Sequence, residues 1–83
     1  MDFAEIRQKC RVWRKRHPMF SHDIRRLEQS IEKHIAAHGS HLVMYRQTHK
    51  ESYLHKAEQE IEEIKKLIEL VEKIELMSLL SRR

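Results

Sequence analysis

Histidine is the residue type in this 83-residue sequence that is best suited to metal binding or acid–base chemistry, and the sequence contains seven histidines. Four lie between residues 34 and 49. His34 and His38 are four residues apart, so a helix would place both on one face. If a helical hairpin turned between His38 and His49, its second helix would bring His49 towards them. Three imidazoles can bind Zn²⁺, so these residues are the candidate metal ligands of the sequence.

The usual companions of a zinc site are absent from the sequence around these histidines. The motif "HIAAH" lacks the glutamate of a metalloprotease helix, and a single cysteine excludes the multi-cysteine zinc frameworks. We therefore expect no metal and no cofactor, and we interpret the histidines as structural, with hydrogen bonds at the edge of a core. A pH-sensing role is the alternative, because buried neutral histidines become charged as the pH falls.

Catalytic arrangements are not indicated elsewhere in the chain. No Ser–His–Asp or Cys–His set follows from the spacing, and one glycine cannot form a glycine-rich phosphate loop. Cys10 and Trp13 share an apolar helical face with Phe3 and Ile6, which predicts a buried thiol and a core tryptophan. An interface hot spot is the alternative for Trp13. We expect a protein that is not an enzyme and has no small-molecule substrate.

Eight cations form a predicted basic surface on the first helix and the start of the second. Such a surface attracts phosphate backbones or acidic proteins, although nothing in it indicates recognition of bases. A solvated helix face and a nuclear-import signal are the other interpretations. The eight residues are Arg7, Lys9, Arg11, Arg14, Lys15, Arg16, Arg25 and Arg26.

The composition indicates the elements that must position these residues. One glycine, one proline and many Glu, Lys, Arg, Leu and Ile residues predict an all-α fold. No apolar run is long enough for a transmembrane helix, and the start resembles no signal peptide, so we expect an intracellular protein, cytoplasmic or nuclear, without membrane contact. The strongly apolar end would also suit the amino-terminal part of a longer protein.

Two breakers divide the chain into three predicted helices. Pro18 ends the first helix, which covers about residues 2–16. Ser21 is the predicted N-cap of the second, which ends near residue 38, with Gly39 and Ser40 as the turn. The third helix then covers residues 40–80 and spans about 60 Å. Two short helices would pack on its first half, and its distal half would project.

That distal half is the predicted association element. The chain forms one domain in total, with a helical region at residues 1–55 and an amphipathic oligomerisation or partner-binding helix, in a bundle or coiled coil, at residues 56–83. Residues 1–50 carry a charge of +6 and residues 51–83 a charge of −2, so the two parts face different environments. The predicted partner-binding residues are Ile61, Ile64, Leu67, Ile68, Val71, Ile74, Met77 and Leu80.

The predicted function is therefore protein–protein interaction, as a small adaptor or an amino-terminal oligomerisation domain. The expected partner is a second copy, with a homodimer favoured, or a helical subunit of another protein. The alternative is a helical protein associated with nucleic acid, which contacts phosphates through its basic first helix.

Overall fold

The first helix, α1, covers Phe3–Arg16, as the sequence predicts. In the computed structural model, which describes residues 1–80, Asp2 caps this helix: its Oδ1 accepts hydrogen bonds from the backbone N–H groups of Ala4 (3.0 Å) and Glu5 (3.3 Å). The last turn is basic, which suits the negative end of the helix dipole. Pro18 cannot continue the helix and begins a 3₁₀ turn, Pro18–Phe20.

The second helix, α2, covers Ser21–Thr48 and corrects the predicted end at residue 38. Gly39 adopts no positive φ and lies inside the helix. A glycine in a helix interior costs only about 1 kcal/mol relative to alanine, which tertiary contacts can outweigh. His38 and His41 make such contacts with the next helix on either side of Gly39. The predicted cap also differs, because Ser21 is the first helical residue rather than the N-cap.

The turn of the helical hairpin lies ten residues later than predicted, at residues 49–50. His49 has the left-handed conformation (φ 54°, ψ 24°), and its N–H donates to the carbonyl oxygen of Tyr45 at 2.7 Å. This is the geometry of a helix C-cap, which here is formed by a histidine instead of the usual glycine. The third helix, α3, then covers Glu51–Leu80.

The three helices share one core, and each contributes buried side chains to it. In sequence order these are Ile6, Cys10, Trp13, Ile24, Ile31, Ile64 and Val71. The fold is therefore all-α, as predicted. Over residues 1–80 the molecule is elongated, with Cα extents of 54 × 17 × 16 Å.

The arrangement of the helices differs from the predicted one. Helices α2 and α3 are nearly equal in length and antiparallel, and α1 lies beside the first half of α2 and the second half of α3. The contacts from Arg7 to Glu32 and from His17 to Ser78 define this placement. The distal half of α3 does not project, because it packs on both other helices. The predicted division between residues 55 and 56 falls inside α3, and residues 81–83 of the predicted segment lie outside the described part.

Candidate functional site

An open apolar groove lies between the first half of α2 and the second half of α3. Its volume is about 510 Å³. Phe20 and Leu27 form one wall, and Leu70, Ile74 and Met77 form the other. Leu70 remains 45% exposed and Met77 53% exposed, so a large part of this apolar lining contacts solvent. A second molecule that covered the groove would gain the hydrophobic free energy that this chain leaves unused.

The groove lies on the side of the helix pair that α1 leaves open. Helix α1 contacts α2 through Glu28 and Glu32, which lie within about 40° of each other on the helix circumference. Leu27 is about 100° away from Glu28 and points into the groove. One edge of the α2–α3 pair is therefore covered by α1, and the groove lies along the other edge.

Three charged residues border this groove. Asp23 and Arg26 come from α2, and Lys73 comes from α3 on the opposite wall. All three are exposed. Among residues 1–80, no ion pair involves any of them. The described rim therefore carries one more positive than negative charge and has cations on both walls.

Two of the eight predicted partner-binding residues, Ile64 and Val71, are fully buried in the chain's own core. Helix α2 is long enough to cover the face of α3 that the predicted fold left bare, so these two side chains pack within the chain. Four others are partly buried against the same core: Ile61, Leu67, Ile68 and Ile74. Met77 and Leu80 are each 53% exposed. Ile74 and Met77 line the groove, and binding through the exposed positions stays a prediction.

The eight predicted cations differ in their contacts. Four of them pair with acidic side chains: Arg7 with Glu32, Lys9 with Glu5, Arg14 with Glu28, and Arg16 with Glu75. Arg26 lies on the groove rim instead. Arg11, Lys15 and Arg25 are exposed, and no ion pair within residues 1–80 involves them. Contact of these cations with nucleic acid stays a prediction.

The ion pairs between α1 and α2 hold the first helix in register. Both Nε and a terminal nitrogen of Arg7 donate to the carboxylate of Glu32, the latter at 3.0 Å. This hydrogen bond lowers the pKa of Glu32, against the opposing effect of desolvation, and raises the pKa of Arg7. Closer to the 3₁₀ turn, Nε of Arg14 lies 3.1 Å from Oε2 of Glu28.

The three candidate zinc ligands do not converge. His34 donates a hydrogen bond to the carboxylate of Glu60, and Nδ1 of His38 donates to the carbonyl oxygen of Ala57 at 3.1 Å. His49 ends the same helix eleven residues beyond His38, which is about 16 Å along the axis. The expected approach of His49 from a neighbouring helix is thus wrong, since the hairpin turns at His49 itself. Within residues 1–80, no group of three or more metal-binding side chains is arranged to hold an ion.

Two buried titratable groups are Cys10 in α1 and His17 at the C-cap of that helix. Nδ1 of His17, which is 4% exposed, shares a hydrogen bond of 3.0 Å with Oγ of Ser78, and Nε2 lies 3.8 Å from Glu75. Burial, followed by the nearby carboxylate of Glu28, raises the pKa of the Cys10 thiol to about 11. Since the reactive form of a cysteine is the thiolate, this thiol is poorly suited to nucleophilic chemistry near neutral pH.

Sequence reasoning missed three of the five apolar residues that line the groove: Phe20, Leu27 and Leu70. The spacing of Phe20 and Leu27 predicts a place in the apolar stripe of the second helix, and both do pack against the core. Leu70 is not among the predicted partner-binding residues. A signal for the longer α2 was present, because Ile31, Ile35, His38, Leu42 and Tyr45 recur at spacings of 4, 3, 4 and 3. That stripe crosses Gly39 without interruption.

The comparisons with known proteins do not assign this chain to a family. No family model matches it, and no curated protein or solved structure matches it significantly. Helices in the described part of the chain are also not apolar enough over a sufficient length to cross a membrane.

Proposed function

We propose that this chain is a non-catalytic protein-interaction module that binds a helix of another polypeptide in the groove between α2 and α3. The observation that carries the proposal is the open apolar lining formed by Phe20, Leu27, Leu70, Ile74 and Met77. Outside the groove, the three helices bury their apolar faces against one another in the core. A fourth helix, laid along the groove, would complete a bundle of the kind that amphipathic helices form with helical receptors.

Other exposed apolar side chains lie near the end of α3 and at the 3₁₀ turn, but they do not line the groove. Leu76, Leu79 and Leu80 are each between 52% and 57% exposed, and Met19 is 83% exposed at the adjoining turn. Isolated exposed apolar residues are common on proteins, but a contiguous patch marks an interaction site more often. An adaptor role follows from this proposal. A coiled coil between chains, which the sequence also favoured, stays a prediction.

Selection from a library of amphipathic helical peptides tests the proposal. Binders selected on the wild-type chain should lose most of their affinity for a Leu70→Glu/Met77→Glu variant. Both positions are about half exposed, so the variant should fold, while two carboxylates in the groove would have to be desolvated by any apolar ligand.

The matched control is Gln8→Glu/Gln47→Glu, which adds the same charge at two exposed positions outside the groove. Circular dichroism should give equal helix content for both variants. The proposal fails if no helical peptide is selected, or if the selected peptides bind the groove variant as tightly as they bind the control.

A further inference from the structure

We infer that the ligand of the groove is an acidic amphipathic helix with apolar anchors at positions i, i+3 or i+4, and i+7. This inference rests on the proposed function and specifies the chemistry of its partner.

The length of the groove sets the spacing of the anchors. On one wall the lining extends from Phe20 to Leu27, and on the other from Leu70 to Met77. Each wall spans seven residues of helix or helical turn, which is about 10 Å at 1.5 Å per residue. A ligand helix covers that distance in two turns. Its apolar contacts must then come from residues at i, i+3 or i+4, and i+7, which lie on one face.

The charge of the rim sets the sign of the ligand. Arg26 on α2 and Lys73 on α3 stand on opposite walls, so a helix in the groove would lie between two cations. Among the described residues, neither cation has an ion-pair partner of its own. Glutamate or aspartate on both flanks of the apolar stripe would meet them, whereas lysine or arginine there would be repelled. Asp23 reduces this preference at one end of the groove.

A second copy of this chain is the less suitable occupant. A symmetric dimer through the groove would bring the same surface of each copy together. The two rims together would place four cations, Arg26 and Lys73 of each copy, in one interface with only the two Asp23 carboxylates, and this excess of positive charge would oppose association. The face of α3 that could have served a dimer is already used, because Ile64 and Val71 are buried within the chain.

Two synthetic peptides of about 16 residues test the inference with the full chain. Both carry leucine at the anchor positions, and the flanking positions are glutamate in one peptide and lysine in the other. Fluorescence anisotropy at physiological salt should show the glutamate peptide binding at least about tenfold more tightly. An Arg26→Glu/Lys73→Glu variant should reverse this order.

Arg11→Glu/Lys15→Glu provides the matched control, because it makes the same change in net charge at exposed sites of α1 outside the groove. Screening at about 0.15 M salt limits the effect of such distant charges, so the control should retain the preference for the glutamate peptide. Leu70→Glu/Met77→Glu should bind neither peptide.

Several results would overturn the inference. These are equal affinity for the two peptides, an unchanged order in the rim variant, a reversed order in the control, or no binding of either peptide. The library selection distinguishes failure of the inferred acidic ligand from failure of the proposed helix-binding function. Basic or uncharged helices that are lost on the groove variant would leave the proposed function standing. If the chain formed a dimer that excluded the glutamate peptide, the occupant of the groove would be a second copy of the chain. That result would also overturn the inference of an acidic helix.

Discussion

His17 shows how a residue at the end of α1 attaches that helix to α3. The ring is 4% exposed, and its Nδ1 shares a hydrogen bond with Oγ of Ser78 across 61 positions of sequence. The contact explains why a serine is buried in an otherwise apolar stripe of α3.

Ser78→Ala should destabilise the fold, because it leaves Nδ1 of a buried histidine without its hydrogen-bond partner. We expect a loss of about 1–2 kcal/mol in the free energy of unfolding, measured by urea titration. Ser40→Ala serves as the control, since Ser40 is exposed in the middle of α2 and alanine favours helix. Equal stability of the two variants would contradict a structural role for the His17–Ser78 contact.

Burial of Cys10 makes the free energy of unfolding depend on pH. Its raised pKa, about 11, means that the folded chain holds the thiol proton more tightly than the unfolded chain does. The contribution of this group to stability is therefore complete below the unfolded pKa of about 9. It is lost progressively as the pH rises from there towards about 11.

At the scale of the elements, the position of the hairpin turn decides the architecture. Gly39 was the obvious breaker in the sequence, yet an added Cβ there would meet no atom within 4 Å, and the residue has no positive φ. The residue with the left-handed backbone is His49. Gly39, which the local sequence indicates as the turn residue, is thus ten residues before His49, where the chain turns.

Gly39→Ala should stabilise the protein by about 0.5–1 kcal/mol, since alanine loses less backbone entropy in a helix and the space for its methyl group is open. His49→Gly should also stabilise, because glycine adopts the left-handed C-cap conformation without the steric cost that a side chain brings. Thermal unfolding followed by circular dichroism measures both effects. If Gly39 formed the turn instead, the alanine variant would be destabilised and the glycine variant would weaken a helix interior.

The lengths of α2 and α3 determine whether the chain needs a second chain to bury its apolar residues. An unpartnered half of a 40-residue helix would have required a second chain for stability. With 28 and 30 residues, the two long helices cover each other, and α1 covers one of their two edges. What remains for a partner is the groove and the apolar end of α3.

We therefore expect the purified chain to have a mass near 10.2 kDa by light scattering at micromolar concentration. The core residues that the predicted dimer would have used are buried within one chain, and the rim cations oppose a symmetric contact through the groove. A mass of about twice that value, restored to the monomer by Leu70→Glu/Met77→Glu, would show that a second copy occupies the groove.

The sequence by itself determined the helical class, the limits of α1 and the burial of Cys10 and Trp13. These features depend on local signals: Asp2 caps a helix, Pro18 ends it, and an apolar spacing of three and four selects the inward face. Such signals act within one or two turns, so no tertiary contact was needed to interpret them.

Only the tertiary structure decided where α2 ends and which surface stays open. Glycine weakens a helix by an amount that the contacts of His38 and His41 with α3 can outweigh, and those contacts are unknown until the two helices are paired. The groove likewise depends on which edge of the α2–α3 pair α1 covers. Phe20 and Leu27 pack against the core and also line the groove, because α1 pairs with Glu28 and Glu32 on the other edge and leaves this one open.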